Sequence, residues 1–126
     1  MKTMKFSIAP SRIHTFEKSF DEKYQVVPIQ VSTASIEKIW RGMYGCYIGP
    51  RGIGAKHSKY VDVIDWLHQN DEVWMPLLGV WSLVPGSFTF HDGRHTFAAM
   101  RDLGYSQITI GVPDISVEVA RNTFLM

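Results

Sequence analysis

The sequence predicts a single α+β domain with a small mixed sheet and packed helices. Three observations carry this. The 126 residues, 45% hydrophobic and 20% charged, suit one globular domain with a proper core. Short β-type runs mix with helical spacings without strict alternation, which argues against a doubly wound α/β sheet. Pro and Gly punctuate the chain where these runs end, with no repeat, low-complexity tract or linker between them.

The elements follow in order. Residues 26–31 form a β-type run, and Pro28 directs it to a sheet edge or a strand start. Ser32 suits the cap of a helix through Trp40, with Ile36, Ile39 and Trp40 on one face. Residues 42–54 are a glycine-rich loop. Ser58 suits the cap of a second helix, because Tyr60, Val63, Ile64 and Leu67 recur at helical spacing; Asn70-Asp71 ends it. Residues 73–81 read as a strand with Pro76 near its start, and Pro85-Gly86 as a turn. A strand at 88–90 leads into a helix over 94–103, stopped by Gly104. A strand at 108–112 follows. After Pro113, Asp114 suits the cap of a last helix holding Val117 and Ala120.

Composition excludes several classes of function. The formal net charge is +1, so DNA binding has to rest on a local patch. The lone cysteine, Cys46, cannot form an internal disulfide and fits a reducing compartment. No apolar run reaches the ~18 residues of a membrane span. The first ten residues lack the apolar stretch of a secretion signal. A cytoplasmic protein without a membrane partner is expected.

The chemistry concentrates at His91-Asp92-Gly93-Arg94-His95, where a strand turns into a helix. Helix starts leave N–H groups unpaired and carry partial positive charge, so they attract anions. Asp92 suits the helix cap, and Gly93 permits close approach of a ligand to the backbone. Arg94 adds a guanidinium able to clamp phosphate, and His95 can donate to it or move a proton near neutral pH. The plainer reading is a capped helix with two solvated side chains.

The stretch Asp92-Gly93-Arg94-His95-x-Phe97-Ala98-Ala99-x-Arg101-x-x-Gly104, closed by a β run and Val112-Pro113, resembles the ParB/sulfiredoxin superfamily. The branch it resembles is the plasmid fertility-inhibition factors. The segment Trp40-Arg41-Gly42-x-Tyr44-Gly45-x-Tyr47-x-Gly49-Pro50 is similar to an upstream part of that branch, so the likeness covers residues 40–113. It implies a ParB/sulfiredoxin-like fold that binds ATP or another nucleoside triphosphate with a divalent metal such as magnesium. It also implies ATP hydrolysis and DNA cleavage, and inhibition of plasmid transfer through a conjugation-system protein. Two positions depart from the pattern. Arg94 stands where sulfiredoxins carry their reactive cysteine, which excludes sulfinic-acid repair at that position. Thr96 stands where relatives carry Arg, leaving a hydroxyl in place of a guanidinium.

Other constellations are weaker. His91-Asp92-x-x-His95 approaches a zinc-protease motif, but that motif needs one helix under both histidines, and Gly93 with the preceding β run argues against it. No third ligand is apparent, so no resident metal is assigned. The loop 49–57 has Gly49 and Gly54 at Walker A spacing, but Ala55 precedes Lys56 and no Ser or Thr follows it. Arg51 and Lys56 would still let it act as a basic flap over phosphates or a nucleic-acid backbone, or it is a plain surface loop. Tyr60, Trp66, Trp74 and Trp81 suggest base stacking, yet at helix and strand spacing they read as core. Cys46 reads as a packing residue, and Asp62 with Asp65 as a solvated face.

The expectation is a phosphate site built from Gly93, Arg94, His95 and Thr96, with Arg51 and Lys56 nearby, serving a nucleotide or DNA. Asp92, Arg94 and His95 would carry phosphoryl transfer to water. The alternative is a non-catalytic module that inhibits a conjugation or partition partner through its surface.

Overall fold

The computed structural model describes residues 3–8, 25–43, 46–80 and 88–124. Among these residues the fold is mixed α+β, with four helices and two small sheets. Strands β1 (Lys5–Ser7) and β3 (Glu72–Trp74) pair in parallel as a two-stranded sheet. Strands β2 (Val26–Ser32), β4 (Leu77–Val80), β5 (Phe88–Asp92) and β6 (Gln107–Pro113) form the main sheet in the order β2-β6-β4-β5. The β2–β6 and β4–β5 pairs are antiparallel and the β4–β6 pair is parallel, so the sheet is mixed as expected. Pro28 lies on β2, an edge strand, where a missing N–H is tolerated.

Helix α1 (Thr33–Arg41) starts as the sequence indicates, with Ser32 Oγ accepting from Ser35 N–H at 3.2 Å. Helix α2 (His57–Gln69) departs from expectation. Its cap residue is Lys56, without a side-chain cap bond, and Ser58 lies inside the first turn. The expected strand over 73–81 is divided. Pro76 separates β3 from β4, and the halves enter different sheets, because proline cannot donate to a central ladder. Trp81 and the Pro85-Gly86 turn lie outside the described residues.

Helix α3 (Arg94–Asp102) ends in a full Schellman motif. Gly104 has φ 89°, its N–H donates to Arg101 O at 3.0 Å, and Tyr105 N–H donates to Met100 O at 3.1 Å. Helix α4 (Val117–Thr123) follows a short 3-10 turn. Asp114 opens that turn and does not cap α4: its Oδ1 accepts from Ile115 N–H at 2.8 Å.

The core joins the main sheet to the helices. Trp40 is its centre, fully buried, with edge-on contacts to Tyr47, Phe90 and Phe97 at centroid distances of 5.1, 4.9 and 5.4 Å. Phe88, Ile108, Ile110 and Val112 cover it from the sheet. This packing fixes where α3 begins. Asp92, the last residue of β5, is opposite Leu77, the first residue of β4, so α3 starts at the sheet end where β5 finishes and β4 begins.

Candidate functional site: a cationic cavity between two helix starts

Gly93 makes the turn from β5 into α3. It adopts φ 86°, a left-handed conformation that glycine reaches without a Cβ penalty. A Cβ there would fall 2.7 Å from Pro76 Cα, so the close approach to Pro76 also requires glycine. Gly93, and not Asp92, is the cap residue; Asp92 closes β5. The first intrahelical bond runs from Phe97 N–H to Gly93 O at 2.9 Å. The N–H groups of Arg94, His95 and Thr96 therefore precede the ladder.

The start of α2 lies beside this turn. Its first intrahelical bond runs from Tyr60 N–H to Lys56 O. Between the two helix starts is a polar cavity of about 260 Å³ bordered by Lys56 and Lys59 from one side and by residues 90–95 from the other. Two positive dipole ends and three full cations thus border one small volume. Among the described residues, Asp92 is the one carboxylate that borders it.

Two contacts set the protonation and posture of the site. Lys56 N–H donates to His95 Nε2 at 3.3 Å, so the neutral imidazole carries its proton on Nδ1. Burial holds the His95 pKa below its ordinary 6.5, and the charges of Arg94, Lys59 and Lys56 lower it further. At neutral pH His95 is therefore uncharged and offers an N–H donor. Arg94 Nη1 donates to Cys46 O at 3.2 Å, which ties the helix start to the glycine-rich loop. Cys46 itself accepts from Trp40 Nε1 at 3.3 Å and packs against the core, in line with a structural role.

The structure brings together Lys56, Asp92, Gly93, Arg94 and His95, and leaves out Arg51 and Thr96. Arg51 sits in a 3-10 turn at the other end of α3, where its N–H donates to Asp102 Oδ2 at 3.0 Å. Asp102 is eight residues past Arg94, about 12 Å along the helix axis. Residues 48–51 are clasped against the far end of α3, whereas Lys56, from the same loop, borders the cavity. Arg101 Nη1 and Nη2 donate to the carbonyls of Ile48 and Gly49, and Tyr60 Oη donates to Asp102 Oδ2. Thr96 lines a second groove with Trp66 and Trp74. Those two tryptophans, expected in the core, are 52% and 54% exposed, whereas Tyr60 is buried.

Lys59 is the site residue that sequence reasoning missed. Its signal was available: it lies three residues after Lys56 on the same helix face. The divided strand and helix also bear on the zinc reading. His91 is on β5 and His95 in α3, so no helix carries both, as the sequence argued. Among the described residues no group of three His, Cys, Asp or Glu side chains could hold a metal ion. Also among them, no helix is long and apolar enough to cross a membrane. Comparison with protein-family models, curated proteins and solved structures finds no match to this chain.

Proposed function

We propose that the cavity between the α2 and α3 starts binds the phosphate of a nucleotide or of nucleic acid. The observation that carries this reading is convergence. Lys56 and Lys59 from one helix start, and Arg94 and His95 from another, border a single polar volume of about 260 Å³. Backbone donors, fixed dipoles and mobile cations then act on the same anion.

For catalysis the reading draws on the resemblance to plasmid fertility-inhibition factors, which implies ATP hydrolysis and DNA cleavage. In that scheme Arg94 and the α3 N–H groups stabilise charge on the transferring phosphoryl group. His95 moves the proton. The cation-rich cavity does not fit a resident metal held by protein ligands alone. Magnesium is commonly held by one or two carboxylates together with substrate phosphates, and Asp92 is the carboxylate placed for that role.

A second reading has its own observation. The Nε2 lone pair of His95 is occupied by Lys56 N–H, which suits an anion donor better than a base. This favours a binding module that inhibits a conjugation or partition partner without turnover. A titration of ¹⁵N-labelled protein with tripolyphosphate and with ATP, with and without magnesium, tests the common core of both readings. Amide shifts should concentrate at residues 93–96 and 56–59. Shifts confined to other parts of the chain would refute the phosphate site. Phosphate release by wild type and its loss in Arg94→Ala would select the enzymatic reading.

A further inference from the structure

We propose that the groove between Trp66 and Trp74 receives the base of a nucleotide whose phosphate occupies the neighbouring cationic cavity. This rests on the phosphate-binding reading above and adds the part of the ligand that reading leaves unplaced.

The first support is the state of the two tryptophans. They come from different elements, α2 and β3, yet both line one groove of about 540 Å³ while half exposed. That volume lies within the roughly 300–1,000 Å³ of small-molecule sites. Trp66 Nε1 donates to Glu72 O at 2.7 Å, so the indole is anchored to β3 backbone while part of it stays exposed. An anchored aromatic surface is a stacking platform for a planar ring and loses little freedom on binding.

The second support is continuity. Lys59, Val63 and Trp66 follow one another at four- and three-residue spacing, so one face of α2 runs from the cavity to the groove. From Lys59 to Trp66 is about 10 Å along the axis, a span suited to a nucleotide's phosphate and base. Helix α3 makes the same connection, with His95 bordering the cavity and Thr96 bordering the groove.

The third support is charge. The cavity is cationic, whereas Asp62 and Glu72 flank the groove. A phosphate is drawn to the first and repelled from the second, which orients the ligand. Carboxylates accept from exocyclic amino groups of bases. Adenine and cytosine carry that group where uracil and thymine do not, so amino-bearing bases should be preferred.

The test compares tripolyphosphate, ATP and UTP by calorimetry, on wild type and on Trp66→Leu and Trp74→Leu. ATP should bind roughly ten-fold or more tighter than tripolyphosphate, from the usual strength of base–aromatic stacking. Each leucine variant should lose most of that margin and keep the tripolyphosphate affinity, while Trp74→Phe should retain it. UTP should fall between ATP and tripolyphosphate. Both tryptophans are half exposed, so the variants should fold; wild type provides a check in which ATP shields tryptophan fluorescence from acrylamide. Competition of a short oligodeoxyadenylate with ATP would support the same site for a nucleotide within a strand. ATP no tighter than tripolyphosphate, or unchanged ATP affinity in both leucine variants, would overturn the base site and leave the phosphate site standing. Failure of wild type to bind either ligand would remove both. Self-association that Trp74→Leu abolishes, with ATP affinity unaffected, would assign the groove to a second copy of the chain and overturn the proposal.

Discussion

Arg101 donates to Glu37 Oε1 at 2.9 Å across α3 and α1, with side chains only 11% and 18% exposed. The same guanidinium donates through Nε to Asp102 Oδ1 at 3.0 Å and lies 5.8 Å from the ring centroids of Trp40 and Tyr47. Burial works against its charge, but the Asp102 and Glu37 hydrogen bonds outweigh that and hold its pKa above the ordinary value. Arg101 thus fastens two helices and the glycine loop to one planar group. Arg101→Ala should destabilise the fold by about 3 kcal/mol, because it leaves two carbonyls unpaired and removes the cation from Glu37, which keeps its bond from the Tyr47 hydroxyl. Arg101→Lys should restore little, since an ammonium cannot reproduce the fork. Urea denaturation of the three proteins checks this.

Gly93 should tolerate no side chain. Gly93→Ala forces a left-handed φ on alanine and drives its Cβ into Pro76. The expected cost is about 1–3 kcal/mol. Phosphate affinity should fall as well, because the N–H groups of residues 94–96 are re-aimed. Denaturation midpoints and a phosphate titration read the two effects separately.

Arg94 and Asp92 should act on the anion with opposite sign. Arg94→Ala should weaken phosphate binding by about 1.5–3 kcal/mol, the range for hydrogen bonds to charged groups. Asp92→Asn removes the carboxylate that, among the described residues, borders the cavity, and should tighten metal-free phosphate binding. It should also abolish any gain from magnesium. Calorimetric titrations with and without magnesium provide the measurement, and a weaker metal-free affinity for Asp92→Asn would contradict the assignment.

His95 makes the site pH-dependent in a stated direction. Its pKa is lowered in the folded chain, so the unfolded chain takes up the proton more readily. Without ligand, stability should fall as pH drops below the ordinary 6.5, and His95→Gln should remove that part of the loss. A bound phosphate favours the charged imidazole, so phosphate affinity should rise over the same acid range. NMR titration of the His95 ring should show its pKa rising on addition of phosphate. An unchanged pKa would place the anion elsewhere.

Tyr60 should be silent until strongly alkaline pH. Burial, then the hydrogen bond to Asp102, pushes its phenol up to about 12. The folded state holds this proton more tightly than the unfolded state. The resulting stabilisation is complete below pH 10 and is lost as pH rises through 12. Tyr60→Phe should cost about 1 kcal/mol and make the loop at 49–52 exchange its amide protons faster.

The fold class and the position of the α3 start were legible because both rest on local signals. Gly104 stops α3 and Ser32 starts α1 through residues adjacent in sequence. The Asp92–His95 knot marked the α3 start for the same reason. What escaped depends on long-range placement. The break at Pro76 sends β3 to pair with β1 far upstream, and that pairing leaves Trp74 on the surface. Arg51 and Lys56 are only five residues apart, yet Arg51 goes to Asp102 and Lys56 to His95, at opposite ends of α3. Nothing in the glycine spacing encodes that division.

Pro28 bears on how the molecule behaves when concentrated. It lies opposite Gly111, whose N–H donates away from β2 to Pro76 O at 2.8 Å. In an antiparallel pair the two residues of such a rung turn their N–H groups outward together. The donor that proline lacks is therefore missing from the outer rim of the sheet, near the middle of β2. A strand from a neighbouring molecule that adds along this rim meets a rung it cannot complete, so the proline discourages edge-to-edge polymerisation. Among the described residues β2 ends the main sheet, so Pro28→Val would add a donor to that rim.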